Sequence, residues 1–161
     1  MVVQIISVLT AVFTLIYIGL ILYLRRGWGK LSDFNIVNKQ CKTTVSVLIA
    51  ARNEEEKIKN TIQDILAQDY PADLLQLIVV DDHSTDRTSE IVRSFADRGV
   101  KLILLNEKAP LNSYKKKAIS EAIKVSDSEL IISTDADCRM GIEWVKTIVS
   151  FYESGDYKLI K

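Results

Sequence analysis

The sequence predicts an α/β domain with a mainly parallel β-sheet covered by helices on both faces, preceded by one N-terminal transmembrane helix. Residues 1–24 carry no charged side chain. From Thr44 onward, short apolar runs alternate four times with segments in which apolar residues recur at helical spacing. Such alternation builds a parallel sheet with helices packed on both of its faces.

The apolar segment Val2–Leu24 is long enough to cross a membrane. As a helix its 23 residues would span about 34 Å, more than the roughly 30 Å of a hydrocarbon core. A cleaved signal peptide is the alternative, but no Lys or Arg precedes the run and no small-residue cleavage site follows it. A buried core helix would show a polar face, which this segment lacks. Residues 1–24 are therefore expected to form a transmembrane helix.

Basic residues follow this helix directly. Arg25, Arg26 and Lys30 flank its carboxyl end, and positive flanks stay on the cytoplasmic side of a membrane. We therefore expect a single pass with the soluble domain in the cytoplasm. Residues 25–43 are predicted to be a basic juxtamembrane linker that contacts anionic lipid, although the same charges also serve as a plain stop-transfer signal.

The soluble part, residues 44–161, contains four strand candidates, and each of them is followed by a segment with a helical pattern. The strand candidates are Val45–Ala50, Leu77–Val80, Lys101–Leu105 and Glu129–Thr134. The helical candidates are marked by Ile58, Ile62, Ile65 and Leu66; Ile91, Val92 and Phe95; Ala118, Ile119, Ala122 and Ile123; and Trp144, Val145, Ile148, Val149 and Tyr152. Residues 157–161 look like the beginning of a further strand.

Two helix ends have recognisable signals. Asn53 with Glu56 three residues later has the pattern of a capping box, which predicts that the first helix of the domain begins at Asn53. Gly99 suits the carboxyl end of the second.

The composition excludes several classes of protein. The 161 residues include 21 basic and 21 acidic side chains, so nucleic-acid binding driven by bulk charge is not expected. Cys41 and Cys138 are too few and too far apart for a disulfide scaffold or a zinc finger.

Polar clusters follow three of the predicted strands. Arg52-Asn53 follows the first, Asp81-Asp82 the second and Asp135-Ala136-Asp137 the fourth. Because ligands bind beyond the carboxyl ends of parallel strands, these clusters are expected to meet at one edge and form a site.

The chemistry of these residues suits a nucleotide. Asp135 and Asp137, two apart in an extended stretch, would point the same way and offer hard oxygen ligands to Mg²⁺ or Mn²⁺. Such an ion would bind a diphosphate and act as a Lewis acid on a leaving nucleotide. Asp82 could accept hydrogen bonds from a base or a ribose. Alternatively, Asp82 or Asp86 could cap the next helix. Response-regulator receivers also carry acidic pairs at strand ends.

Together these stretches carry a family resemblance. The sequence contains VSVLIAARNEEEKIKNTIQDILAQDYP, LIVVDDHSTDRTSEIV, KKKAISEAI and ELIISTDADC in this order. Over Thr44–Tyr152 it resembles the inverting family 2 glycosyltransferases, which have the Rossmann-like GT-A fold. The resemblance implies a UDP- or GDP-sugar donor and a divalent cation, Mg²⁺ or Mn²⁺.

The resemblance also implies roles for residues of the nucleotide pocket. Ala51, Arg52 and Asn53 match the stretch that lines this pocket in the family. Asp82, with Asp81 beside it, matches the acid that recognises the base.

Three further residues match the diphosphate and metal side of the family's site. Lys115 matches a lysine near the nucleotide, although the glycine that usually precedes it is Tyr114 here. Asp135 matches the acid on the ribose and metal side, and Asp137 the direct metal ligand.

In the family, the catalytic Asp or Glu and the acceptor-binding half follow later in the chain. Because this sequence ends at Lys161, we expect a truncated chain, inactive alone, that holds the donor half and lacks the general base. The full protein would transfer a sugar by single displacement to a glycan or lipid-linked acceptor at the cytoplasmic membrane face, as in polysaccharide biosynthesis. The alternative is a non-catalytic, membrane-tethered nucleotide-binding or receiver-like module. A receiver needs an Asp at the end of its third strand, where this sequence has Leu104-Leu105-Asn106.

Overall fold

The chain divides into two compact units, and the first of them contains the N-terminal helix. The computed structural model describes residues 1–30, 42–105 and 114–155. Helix α1 covers Val2–Trp28, four residues more than predicted, and buries none of its side chains against protein. Within the described ranges it is the one helix long and apolar enough to cross a membrane, a test that a signal sequence also passes.

Three hydroxyl side chains of α1 are hydrogen-bonded within the helix. The hydroxyls of Ser7, Thr10 and Thr14 each donate to the carbonyl oxygen four residues earlier, at 2.8–3.0 Å. Internal hydrogen bonds of this kind allow hydroxyl side chains to face lipid without an unpaired polar group.

The described residues of the soluble unit form a four-stranded sheet in which every pairing is parallel. Its strands are β1 Val45–Ala51, β2 Leu75–Asp81, β3 Val100–Leu104 and β4 Leu130–Asp135. Their order is β3-β2-β1-β4, and all three pairings are parallel. The predicted α/β class and all four strands are confirmed, with ends displaced by one or two residues.

The sheet separates two apolar clusters because successive strand residues point to opposite faces. On one face, Val47, Ile49 and Val79 pack in a cluster with residues of the helices that precede β2 and follow β4. On the other face, Leu48 and Ile78 pack with residues of the helix that precedes β4. Strands buried on both sides explain why the strand sequences are almost continuously apolar.

The four predicted helices of the soluble unit are present. They are α2 Ile58–Leu66, α3 Thr88–Arg93, α4 Tyr114–Lys124 and α5 Trp144–Glu153. A 3-10 turn, Ala96–Arg98, follows α3 and ends at Gly99, whose φ of 83° explains the glycine predicted there.

The predicted capping box at Asn53 is wrong. Helix α2 begins at Ile58 with Lys57 as its N-cap, and no side chain caps it. Asn53 instead adopts a left-handed backbone with φ of 54° and hydrogen-bonds to the loop after β2. Asparagine tolerates this conformation better than most residues, and its amide competes with helix formation.

Strand register brings the carboxyl ends of three strands to one edge. Ala51 at the end of β1 pairs with Asp81 of β2, and Ala50 pairs with Asp135 of β4. The segments that follow these strands are therefore neighbours, as the sequence predicted. Residues 31–41, 106–113 and 156–161 lie outside the described residues, and with them most of the predicted linker and the predicted strand at 157–161.

Candidate active site

An open cavity of about 290 Å³ lies at this edge of the sheet. It is lined by Ala50, Ala51, Arg52, Glu54, Asp82, Lys115, Asp135, Ala136 and Asp137. These residues come from the ends of β1, β2 and β4 and from the start of α4, which are far apart in the sequence. The predicted convergence of the three polar clusters is therefore observed.

Six of the eight residues predicted for the site line this cavity: Ala51, Arg52, Asp82, Lys115, Asp135 and Asp137. Asp81 and Asn53 are the other two, and both make hydrogen bonds within the surrounding loops. Their predicted contribution to nucleotide binding would have to be indirect, through the shape of those loops.

Asp82 is the buried acid of the cavity, with only 9% of its side chain exposed. Its backbone N–H donates to the carbonyl oxygen of Ala51 at 2.8 Å, which extends the β1–β2 pairing by one residue. Its Oδ1 atom lies 3.0 Å from His83 Nδ1, and its Oδ2 atom lies 4.0 Å from Arg52 Nη1. A buried carboxylate held between basic groups is an acceptor of fixed direction, suited to the N–H or O–H groups of a ligand.

Asp81 occupies a different environment from its neighbour. Its Oδ1 atom accepts a hydrogen bond from the backbone N–H of Ser84 at 3.2 Å. Its Oδ2 atom accepts one from the Ser89 hydroxyl at 2.6 Å. The residue is 4% exposed, so this carboxylate holds the turn after β2 and the first turn of α3 together.

Asn53 joins the loop after β1 to the loop after β2. Its Oδ1 atom accepts hydrogen bonds from the backbone N–H and the hydroxyl of Thr85, at 2.8 and 3.3 Å. Its own N–H donates to the Ser84 hydroxyl at 3.0 Å. The two loops that carry Arg52 and Asp82 are thereby held side by side.

Asp86 makes a second link between the same loops. Its carboxylate accepts hydrogen bonds from the N–H of Glu55 at 3.1 Å and from the N–H and hydroxyl of Thr88. Burial raises the pKa of Asp86, but these hydrogen bonds outweigh burial and hold the pKa below its ordinary value. Asp86 therefore contributes to loop structure, but it is not the N-cap of α3, which is Arg87.

Asp135 and Asp137 open onto the cavity with 57% and 47% of their side chains exposed. Asp135 ends β4, whereas Asp137 lies in the turn that follows, so the extended geometry predicted for the pair is wrong for Asp137. Each carboxylate faces a lysine. Asp135 lies 2.5 Å from Lys115 Nζ, and Asp137 lies 3.5 Å from Lys57 Nζ.

The carboxylate oxygens of Asp135 and Asp137 are suitable ligands for a hard divalent cation. The described residues contain no group of three or more Asp, Glu, His or Cys side chains placed to hold a metal. Mg²⁺ and Mn²⁺ are commonly held by one or two carboxylates, with water and phosphate oxygens completing the shell. Two accessible carboxylates on one cavity, with lysines nearby, fit such an ion only if a phosphate-bearing ligand binds with it.

Sequence reasoning did not assign Glu54, Lys57 or His83 to the site, although it noted His83 in the turn beside the acids. Glu54 lines the cavity, Lys57 contacts Asp137 and His83 contacts Asp82. Glu54 and Lys57 were hidden because residues 53–57 were assigned to a helix. A signal was nevertheless present, since both follow β1 in the sequence and the end of β1 lies at the centre of the site.

Comparisons with known proteins agree with this geometry. A family model described as Glycosyl transferase family 2 matches residues 46–160. The β-monoglucosyldiacylglycerol synthase of Nostoc sp. is 28% identical over 109 residues, which cover 68% of this chain and 23% of that protein.

Two solved structures are similar over most of the chain. The mannosyltransferase PcManGT from Pyrobaculum calidifontis, in complex with GDP-Man and Mn²⁺, superposes with a TM-score of 0.66 at 28% identity, covering 81% of this chain and 39% of that one. Residues 1–349 of S. aureus TarS, in complex with UDP-GlcNAc, superpose with a TM-score of 0.57 at 25% identity, covering 69% and 31%. This chain thus spans well under half the length of each relative. The parallel sheet, its GT-A neighbours and a family model that matches most of the chain together show that the chain belongs to glycosyl transferase family 2.

Proposed function

We propose that this chain forms the donor-binding half, residues 44–161, of a membrane-anchored enzyme that transfers a sugar from a UDP- or GDP-sugar. The observation that carries the proposal is that Asp82, Lys115 and Asp137 line one cavity. A nucleoside diphosphate needs a hydrogen-bond acceptor for its base, a positive charge near its phosphates and a carboxylate that holds its metal ion. Asp82, Lys115 and Asp137 are suited to these three tasks in that order. The structural relatives solved with GDP-Man or UDP-GlcNAc support this ligand class.

Each side chain of the cavity has a task in this proposal. Asp82 accepts hydrogen bonds from the nucleoside, while Ala51, Arg52 and Asn53 shape the wall beside it. Lys115 faces the diphosphate as a point charge. Asp135 and Asp137 hold a Mg²⁺ or Mn²⁺ ion, which when bound stabilises the negative charge of the departing diphosphate.

The acceptor and the location of the enzyme are also part of the proposal. We infer a glycan or lipid-linked acceptor, with the soluble domain on the cytoplasmic face of the membrane. The apolar helix α1 and the basic residues Arg25 and Arg26 at its carboxyl end support this. The Nostoc relative is named as a synthase of a glycolipid.

A receiver-like module is disfavoured by the third strand. Receivers need an acid at the end of that strand, whereas β3 ends at Leu104 and is followed by Leu105. Family membership further favours a transferase.

Calorimetry on the full chain in detergent tests the proposal. We expect UDP or GDP to bind in the presence of Mn²⁺ and to lose at least about tenfold in affinity in Asp137→Ala. Asp127→Ala is the matched control, because Asp127 lies near the amino ends of the strands, away from this cavity. A folded wild-type chain that bound neither nucleotide with Mn²⁺ present would contradict the proposal.

A further inference from the structure

Two side chains of helix α2 and one from the turn that follows it hold the segment that carries Asp137. They are Thr61 and Asp64 on α2 and Gln68, two residues beyond its end, and we refer to the three as the α2 clamp. Thr61 and Asp64 lie three residues apart and therefore on one face of the helix. All three hydrogen-bond to residues 136–145, which carry Asp137 and lead into α5.

Thr61 holds the backbone on both sides of Asp137. Its side chain is fully buried, and its Oγ1 atom lies 2.7 Å from the carbonyl oxygen of Ala136 and 3.0 Å from that of Cys138. A hydroxyl has one proton to donate, so the two carbonyls share it. Thr61 on α2 is thereby hydrogen-bonded to the carbonyl groups of both residues that flank Asp137.

Asp64 and Gln68 hold the next residues of the same segment. Asp64 accepts hydrogen bonds from Arg139 Nε at 2.6 Å, from Arg139 Nη2 at 3.1 Å and from the Met140 N–H at 3.2 Å. Gln68 donates to the carbonyl oxygen of Gly141 at 2.8 Å and accepts from the N–H of Val145 at 2.9 Å. The segment is thus attached to α2 and to the turn after it, from Ala136 to the start of α5.

We infer that the α2 clamp positions Asp137, the proposed metal ligand, and that Thr61 is the most important residue of the clamp. Asp137 lies in a turn, where no strand pairing fixes its backbone. The direction of its carboxylate therefore depends on the backbone on either side, where Thr61 holds the carbonyl groups of Ala136 and Cys138. Groups that orient metal ligands in this way commonly change metal affinity by about 10- to 100-fold when removed.

This inference rests on the proposed function, and the test uses the full chain in detergent. Mn²⁺ binding in the presence of UDP, and separately of GDP, is followed by electron paramagnetic resonance, with protein-free nucleotide as the baseline. We expect Thr61→Val to weaken Mn²⁺ binding about tenfold. Thr61→Ser, which keeps the hydroxyl, should stay within about twofold of wild type.

Two controls separate positioning from general destabilisation. Thr147→Val removes a threonine hydroxyl that donates to the carbonyl oxygen of Glu143, the N-cap residue of α5, and it should leave Mn²⁺ affinity unchanged. The thermal midpoint of each variant is measured beside its affinity. Thr61→Val with wild-type Mn²⁺ affinity and a lowered midpoint would overturn the inference, because Thr61 would then be merely structural.

Two further results are informative: a Thr61→Val variant that does not fold, and a wild-type chain that binds no Mn²⁺. If Thr61→Val does not fold, Arg139→Gln takes its place, because the Arg139 side chain is 67% exposed and its replacement leaves the core intact. It should weaken Mn²⁺ binding by about threefold, a smaller loss than for Thr61 because it acts further from Asp137, and an unchanged affinity would overturn the inference. A wild-type chain that bound no Mn²⁺ with either nucleotide would overturn the proposed function and this inference with it.

Discussion

The Nζ atom of Lys115 lies 2.5 Å from the Oδ1 atom of Asp135, joining the first turn of α4 to the end of β4. Both side chains are well exposed, at 65% and 57%. Exposed ion pairs of this kind contribute only about 0–1 kcal/mol to folding. The pair therefore contributes little to folding, and we propose that it receives the charged part of a ligand instead.

Replacing Lys115 should weaken diphosphate binding while leaving the fold unchanged. We expect Lys115→Gln to lower the affinity for UDP or GDP with Mn²⁺ about tenfold, because a charged hydrogen bond to phosphate is lost. The free energy of unfolding should change by less than about 0.5 kcal/mol. Calorimetry and urea denaturation measure the two quantities.

Lys116→Gln is the control for this variant, since it removes the same charge from the next residue, which does not line the cavity. Equal losses in both variants would show a bulk charge effect and contradict a specific role for Lys115.

Asn53 should be important for stability despite its exposed position. Asn53→Ala loses the hydrogen bonds to Thr85 and places an alanine at a φ of 54°. We expect a loss of about 1–3 kcal/mol in the free energy of unfolding. Asn53→Gly should lose less, because glycine adopts this backbone without strain. Denaturation of the two variants gives the comparison, and an equal loss in both would rule out backbone strain as a cause.

Strand positions were predictable because burial on both faces imposes long apolar runs that few other structures require. The conformation of residues 53–57 was not predictable in the same way. Asn53 is held by Ser84 and Thr85, about thirty residues further along the chain, and a local capping pattern carries no information about those partners. Tertiary hydrogen bonds overrode the local signal.

The two acids Asp81 and Asp82 illustrate a second limit. The strand pattern alone placed both at a strand end, and only the family resemblance singled out Asp82. Which of the two lines the cavity depends on the register of β2 and on the position of Ser89, which binds Asp81. Asp81 is hydrogen-bonded to Ser89 of α3, whereas its neighbour Asp82 lines the cavity.

Helix α1 should remain attached to the chain and hold it in a membrane. After expression in bacteria, the full chain should sediment with membranes through an alkaline wash, and mass spectrometry should find its N-terminal residues intact. A variant lacking residues 2–24 should lose this association, because it lacks the apolar length that spans a bilayer. Recovery of a soluble chain cleaved after the helix would instead identify the segment as a signal sequence.

The ion pair between Asp64 and Arg139 should make stability depend on acidity. Hydrogen bonding from Arg139 holds the pKa of Asp64 below its ordinary value of 3.8, and the same contact raises the pKa of Arg139. A carboxyl whose pKa is lowered in the folded state stabilises the protein fully above its unfolded pKa, and this contribution is lost as pH falls through the folded pKa. Asp64→Asn should therefore differ most from wild type near neutral pH, and the difference should narrow below about pH 4. Urea denaturation at neutral pH and at about pH 3 measures this change. Arg139→Gln removes the other half of the pair, so its difference from wild type in the free energy of unfolding should also become smaller at low pH. If this difference were the same at both pH values, the ion pair would not couple protonation of Asp64 to folding.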